Sequence, residues 1–415
     1  MSNTIYVYEN FSSEEPVLLG RLYVEISRGA EHHSFEFEKE WLKEHRNAFI
    51  LDPDLLPVQG RQYPTGQKMT FGIFSDASPD RWGRVLMDRR ERFAADREGR
   101  KPRRLNAGDY LLVYDETRMG AIRFKADPDG AFLSDDKETA APPWATLRTL
   151  EEASRNFENE ETTLQEKWLN QLIKPGSSLG GARPKATVQA PDGSLWIAKF
   201  PSRKDEYNMG AWEKTAHDLA RLCGLNVPES RLESFSKLGS TFLTKRFDRE
   251  GPQRKHFSSA MTMLGKIDGA SAEDGSGYLD IVSFLKANGA APKDDIEELW
   301  KRIVFSMAIT NTDDHLRNHG FILQKNGWRL SPLYDVNPCA YGDTLALNVN
   351  ECSNEISLEL AIEASDYYGL TKEHAERLAS ECIETVKQNW EKIATKNGLS
   401  RGAIEYMRPA FSLCK

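Results

Sequence analysis

At 415 residues, with 39% hydrophobic and 28% charged side chains, the chain has the composition of a globular protein of two or three domains. Its net charge of -8 at pH 7 works against broad, nonspecific DNA affinity, and no apolar run is long enough to cross a bilayer. The five cysteines are scattered and never spaced as CxxC, which argues against a disulfide framework or a structural zinc and fits a reducing cytoplasm.

The first ten residues lack a signal pattern. Strands are predicted over residues 4–8, 17–24 and 34–37, where apolar side chains alternate or run around turn-like segments. Ser78, followed by Pro79, predicts the N-cap of a helix leading into Trp82, Val85 and Leu86. The basic run Arg97, Arg100, Lys101, Arg103 and Arg104 reads as a solvated loop, with a nucleic-acid contact as the alternative. Residues 127–143, polar and rich in Gly, Asp, Pro and Ala, predict a loop or boundary. The expected domains are therefore 1–145, 146–250 and 251–415, an N-terminal strand-rich domain, a nucleotide-binding lobe and a helical catalytic lobe.

Residues 149–173 read as helical and end at Lys174-Pro175-Gly176. A glycine-containing stretch from Ser177 to Lys185 follows, and then two strands, 186–190 and 195–200, about the turn Pro191-Asp192-Gly193-Ser194. In the second strand Leu195, Ile197 and Lys199 share a face, and a lysine ending an apolar face needs a partner. An amphipathic helix carries Met209, Trp212, Ala216, Leu219 and Leu222/Cys223, with Gly224 as its C-terminal cap. A hairpin over 231–235 and 241–247 comes next. Beyond residue 258 the pattern is mainly helical, most clearly at Ile296, Leu299, Trp300, Ile303, Val304 and Met307. A short hairpin, 320–324 and 328–334 about Asn326-Gly327, interrupts it. A strand-rich part followed by a helical part with an internal hairpin is the layout of an α+β, bilobal protein-kinase-like fold.

Phosphoryl transfer needs a cradle for the phosphates, a cation on them, oxygen ligands for Mg²⁺ and a carboxylate near the attacking hydroxyl. The segment Thr310-Asn311-Thr312-Asp313-Asp314-His315-Leu316-Arg317-Asn318 follows a buried helix and precedes a hairpin, which predicts a loop on a rigid base. Asp313 and Asn318 stand five apart, the offset of the base and the metal-binding amide of a kinase catalytic loop. Asp335, after the hairpin, stands where a kinase places its metal-chelating carboxylate. Each acid alone also fits a cap or a turn; two acids, an amide and a hairpin in this order point to ATP and Mg²⁺. Lys199 would pair the α/β-phosphates, and Glu213 on the next helix, with Glu206 as a rival, could hold it. Backbone N–H groups around Gly180 and Gly181 are offered to phosphates, although the stretch matches neither GxGxxG nor the Walker pattern.

The chain resembles the HipA family of bacterial kinase toxins at Ser178-Leu179-Gly180-Gly181-Ala182-Arg183-Pro184-Lys185, Lys199-Phe200-Pro201 and Arg246-Phe247-Asp248-Arg249. Thr312 to Asn318, Tyr334-Asp335-Val336 and Pro79-Asp80-Arg81-Trp82-Gly83-Arg84 extend that resemblance over nearly the whole chain. The resemblance implies an ATP- and Mg²⁺-dependent Ser/Thr protein kinase. Asp313 would be its base, His315 a phosphate contact, Asn318 and Asp335 the Mg²⁺ ligands, and Lys199 the nucleotide lysine. Lys245 and Phe247 would lie at the hinge facing adenine. The resemblance also implies self-phosphorylation at Ser178, with Ser177 as rival acceptor; Gly180-Gly181 and Arg183-Pro184 depart from the more usual residues of that segment. Asp314 stands where the best-known member has glycine. By the same resemblance the target would be an aminoacyl-tRNA synthetase and the partner a HipB-like helix-turn-helix antitoxin, through which alone DNA would be reached. Two other readings compete. One is a small-molecule kinase of the aminoglycoside-phosphotransferase type, disfavoured by the N-terminal region and the Ser178 segment. The other is a pseudokinase scaffold, disfavoured because Asp313, Asn318, Asp335 and Lys199 are all kept.

Overall fold

Alternating apolar residues build the first sheet of the computed structural model, which describes residues 2–28, 30–45, 49–113, 115–132, 141–158, 169, 172, 181 and 183–414. Strands β1 (Ser2–Glu9), β2 (Val17–Ser27), β3 (Ala30–Phe37) and β4 (Ile122–Lys125) pair antiparallel in the order β3-β2-β1-β4. Ile5, Val7, Leu22, Val24 and Phe35 are buried, and the Phe74 ring lies 5.4 Å from Phe35 and 5.8 Å from Phe124. These residues belong to a first unit, Met1–Arg203 with Lys245–Ser258; Lys204–Thr244 and Ser259–Lys415 form a second. That division cuts the chain differently from the three expected segments, because residues 146–203 join the N-terminal sheet's unit and residues 204–244 do not.

In the first unit, helix α1 (Arg81–Arg97) packs Trp82 and Leu86 against Ala153 and Phe157 of α2 (Leu147–Glu158). The cap of α1 is Asp80, whose carboxylate accepts from the Gly83 N–H at 2.8 Å, and not Ser78. The Ser78 hydroxyl is committed elsewhere, donating to the Phe74 carbonyl at 2.8 Å. Of the helix expected over 149–173, the part beyond α2 lies outside the described residues except Leu169 and Leu172. The next hairpin forms as expected, with β5 (Lys185–Gln189) antiparallel to β6 (Leu195–Lys199).

The second unit opens with α3 (Met209–Leu222), which ends where Gly224 takes φ +71°. Trp212, Ala216 and Leu219 are buried on it, whereas Leu222, expected on the same stripe, is 54% exposed in the last turn. A hairpin of β7 (Ser230–Glu233) and β8 (Thr241–Lys245) follows. Helices α4 (Tyr278–Asn288) and α5 (Pro292–Ala308) then carry the core, and every position of the Ile296-to-Met307 pattern is buried. The hairpin of β9 (Gly320–Gln324) and β10 (Gly327–Leu330) pairs Gln324 with Gly327, so its two-residue loop is Lys325-Asn326 and not Asn326-Gly327. Gly327 has φ +128°, and a Cβ there would lie 2.6 Å from the Asn288 carbonyl, so the glycine serves close approach. The long helix α6 (Lys372–Lys396) stacks Trp390 on Phe411 with centroids 4.2 Å apart. Among the described residues no helix is long and apolar enough to cross a membrane.

Candidate active site

The apolar stripe of α5 fixes one end of the segment that carries Asp313. After Ala308 the chain turns out of the helix in a double closure: Thr310 N–H to Met307 O at 3.2 Å, and Asn311 N–H to Ser306 O at 2.7 Å. That closure places Thr310 at φ +51°, a conformation in which glycine is usual and a β-branched residue is strained. The Thr310 hydroxyl donates to the Ala410 carbonyl at 2.8 Å, which anchors the strained residue.

Two adjacent acids then take opposite environments. Asp314 is buried, accepting from Tyr278 Oη at 2.7 Å and Ser306 Oγ at 3.4 Å, with His319 Nε2 3.0 Å away. Burial pushes the Asp314 carboxyl up, but His319 and Tyr278 outweigh it and hold the group below the usual carboxylate range. Asp313 points outward with its side chain 90% exposed, so a substrate hydroxyl can reach it. Its backbone is held: the carbonyl accepts from Asn318 Nδ2 at 2.8 Å and from the His315 N–H at 3.0 Å. His315 Nε2 lies 3.9 Å from the Asp313 carboxylate, while its Nδ1 is buried with no hydrogen-bond partner.

Asp335 returns beside this loop. Tyr334 Oη donates to Arg317 O at 2.6 Å, Asn337 N–H to Asn311 Oδ1 at 3.4 Å and Cys339 N–H to Thr310 O at 3.2 Å. Asp335 itself is left-handed, φ +57°, the second non-glycine residue of this unit in that state. Desolvation by the surrounding protein raises the Asp313 carboxyl; His315 pulls it down, and the charges of Asp335 and Asp314 raise it further, for a net upward shift. A divalent cation would relieve that crowding. Among the described residues no three His, Cys, Asp or Glu side chains gather as a metal cage. A hard cation that completes its shell with phosphate and water needs only one or two protein oxygens, and Asp335 and Asn318 Oδ1 are the ones that would supply them here.

The other predicted positions divide between the units. Lys199 ends β6 in the first unit and is buried; Glu213 lies on α3 in the second and is also buried. Lys245 and Phe247 are half-buried in the first unit, the Phe247 ring 5.9 Å from Phe257. Gly181 is exposed, and its carbonyl accepts from Lys185 Nζ at 3.2 Å. Ser177, Ser178 and Gly180 lie outside the described residues.

Sequence reasoning passed over several residues that make these positions possible. Tyr278 and His319, which hold Asp314, carry no motif; an acid doublet after an apolar helix was the available signal. In Arg246-Phe247-Asp248-Arg249 three residues form a buried staple in the first unit. Arg246 donates to Thr117 O at 2.6 Å and Arg118 O at 2.9 Å, and Asp248 accepts from the Gly120 N–H at 2.8 Å. Burial pushes the Asp248 carboxyl up, but Arg246 and Arg249 overcome this and hold it far below its ordinary value.

The sequence pattern of the HipA-like C-terminal domain matches residues 177–390. A provisionally named kinase of Haemophilus influenzae is 29% identical over 187 residues, covering 39% of this chain and 54% of that protein. The provisionally named kinase Y4dM of Sinorhizobium fredii is 29% identical over 234 residues, 51% of this chain and 54% of its own length. The chain thus spans about half the length of these curated relatives. Among solved structures, HipA of Shewanella oneidensis MR-1, in complex with HipB and operator DNA, aligns with a TM-score of 0.69 at 17% identity. That alignment covers 99% of this chain and 96% of the other, so the fold is shared from end to end. The pattern match spans more than half of the 415 residues and takes in Lys199, Asp313, Asn318 and Asp335, and the chain belongs to the HipA-like C-terminal domain family.

Proposed function

We propose that the chain is an ATP- and Mg²⁺-dependent serine/threonine protein kinase of the HipA toxin type, acting in the cytoplasm. The observation that carries this reading is the outward Asp313 carboxylate, on a loop held from beneath by buried Asp314 and from the side by Asn318. Asp313 orients the acceptor hydroxyl and takes its proton, and its raised proton affinity suits a general base. Bound Mg²⁺ would neutralise charge on the transferring phosphoryl group, held by Asp335 and the Asn318 side-chain oxygen. His315 contacts the phosphate, and Lys199 pairs the α/β-phosphates.

The kinase names of the two curated relatives support phosphoryl transfer, and the HipA–HipB complex supports a HipB-like antitoxin partner that carries the DNA contact. A translation component such as an aminoacyl-tRNA synthetase is the proposed target, with Ser178 or Ser177 as the site of self-silencing phosphorylation. The experiment is mass spectrometry of wild type and Asp313→Asn after incubation with ATP and Mg²⁺. Phosphate on Ser177 or Ser178 in wild type alone supports the reading. Unmodified wild-type protein that also fails to phosphorylate added synthetases overturns it.

A further inference from the structure

Two cysteines distant in sequence meet in the second unit. Cys223 caps the C-terminus of α3, its N–H bonded to Leu219 O at 2.9 Å, and Cys382 is buried on α6. The Cys382 thiol donates to Cys223 Sγ at 3.7 Å, and the Cys223 thiol donates to the Cys382 carbonyl at 3.8 Å. The helices that carry them are fixed on each other. Asn397, just past α6, donates to Thr215 Oγ1 at 3.2 Å and to Asp218 Oδ2 at 3.3 Å on α3. Trp212 of α3 and Trp390 of α6 both pack on Phe411. The close-packed core therefore sets the two sulfurs face to face.

The pair is also within reach of a small reagent. Both cysteines line a cavity of about 360 Å³, a volume in the range of ligand sites, and Leu222 in its wall is 54% exposed. Cys223 is half-buried and Cys382 only 9% exposed, so a molecule entering from solvent meets Cys223 first. The hydrogen bond to Cys223, and then burial, push the Cys382 thiol well above its usual range, which leaves Cys223 as the attacking sulfur. Cys414, the next thiol, donates to the Ala308 carbonyl at 3.4 Å.

We propose that Cys223 and Cys382 form a reversible redox pair whose co-reactant is a low-molecular-weight disulfide. Cys223 gives up its proton and attacks one sulfur of that disulfide; a mixed disulfide forms and one small thiolate leaves. Cys382 then gives up its proton and attacks Cys223 Sγ, closing the Cys223–Cys382 bond and releasing the second small thiolate. Two electrons pass from the protein thiols to the small disulfide, and the two protons end on the two released thiols. The new bond joins positions 159 apart and staples α3 to α6. An excess of small thiols reverses it by the same steps, so the staple lasts only while small disulfides accumulate. Neither cysteine belongs to the proposed catalytic apparatus, and the pair stands independently of the kinase reading.

The test uses the full chain as wild type, Cys223→Ser and Cys382→Ser, with oxidised glutathione raised until the exposed Cys352 is modified. Peptide mapping without reduction is expected to find the Cys223–Cys382 cross-link in wild type. Cys382→Ser should instead hold the mixed disulfide at Cys223, and Cys223→Ser should leave Cys382 unmodified. Oxidised wild type should melt roughly 5–10 °C above the reduced protein, a shift that dithiothreitol reverses and neither variant shows. Wild type in which Cys352 is modified while Cys223 and Cys382 stay free thiols overturns the proposal. So does a link from either cysteine to Cys414, a cross-linked chain that melts no higher, or modification of Cys382 in Cys223→Ser. If a serine variant does not fold, mapping and melting of wild type decide by the same criteria.

Discussion

Two charge clusters in this protein treat their surplus in opposite ways. In the first unit Arg123, Arg246, Arg249 and Arg254 converge on Asp115, Glu116 and Asp248, and Arg118 donates to the Leu111 and Val113 carbonyls. Most of the donors left over go to carbonyl oxygens of Leu111, Val113, Thr117 and Arg118, while Arg118 Nε, Arg254 Nη1 and Asp115 Oδ1 are buried without a hydrogen-bond partner, so the cluster draws most of its partners from within the protein. In the second unit the charges of Asp335 and Asp314 raise the proton affinity of Asp313, whose side chain is exposed, while buried Asp314 accepts from Tyr278 and Ser306. Self-satisfied charge holds a chain segment in place; charge left open on a fixed backbone is prepared for something that arrives. The distinction separates structural acids from functional ones where residue type alone cannot.

The comparison breaks first at Asp248. Asp248→Ala leaves Arg246 and Arg249 short of their acid and should destabilise the protein by roughly 3–5 kcal/mol in urea unfolding; a loss below about 1 kcal/mol would mean the staple does not hold the segment as described. Asp335→Asn should do the reverse, leaving the urea midpoint nearly unchanged while lowering transfer about 100- to 1000-fold, the several kcal/mol a divalent cation supplies. Full activity in that variant would remove Asp335 from the site.

A third prediction concerns His256, buried in the first unit with its ring 5.1 Å from Phe11. Burial pushes it down to about 3. The unfolded chain, with histidine near 6.5, therefore takes up the proton first, and stability is full above that pH and falls as the pH drops toward 3. Between pH 7 and pH 4 this one group should cost roughly 3 kcal/mol, and His256→Gln should show a correspondingly shallower loss. Equal pH slopes for the two proteins would contradict it. The smallest effect is expected at Gly342, where an added Cβ would meet Thr312 Cγ2 at 2.3 Å. Gly342→Ala should cost about 1 kcal/mol of stability and slow transfer about tenfold by displacing the neighbour of Asp313. Unchanged kinetics would show that the loop absorbs the methyl group.

Much of this was legible in the sequence where the signal is local. The stripe on α5, the hairpins and the five-residue offset of Asp313 and Asn318 all depend on neighbours a few positions apart. What was not legible depends on contacts distant in sequence. Ser78 was the expected cap, and it lost to Asp80 because Phe74 O captured its hydroxyl. The β9–β10 loop moved back one residue because the cross-strand register and the approach of Asn288 to Gly327 outrank the Asn-Gly preference. The opposite fates of Asp313 and Asp314 required knowing that Tyr278, 36 positions earlier, comes beneath the loop. Likewise the Arg246–Asp248 staple closes on residues 117–120, a partner no local window contains.

The left-handed Thr310 has a consequence for breeding variants of this protein. Glycine would suit its backbone better, so a laboratory lineage selected only for survival of heating would be drawn toward Thr310→Gly. That change would also delete the hydroxyl tether to Ala410 O that keeps the base of the catalytic loop in one place. Heat resistance and turnover would then separate along the same lineage, and a selection scheme that scores both is the one that retains threonine at this position.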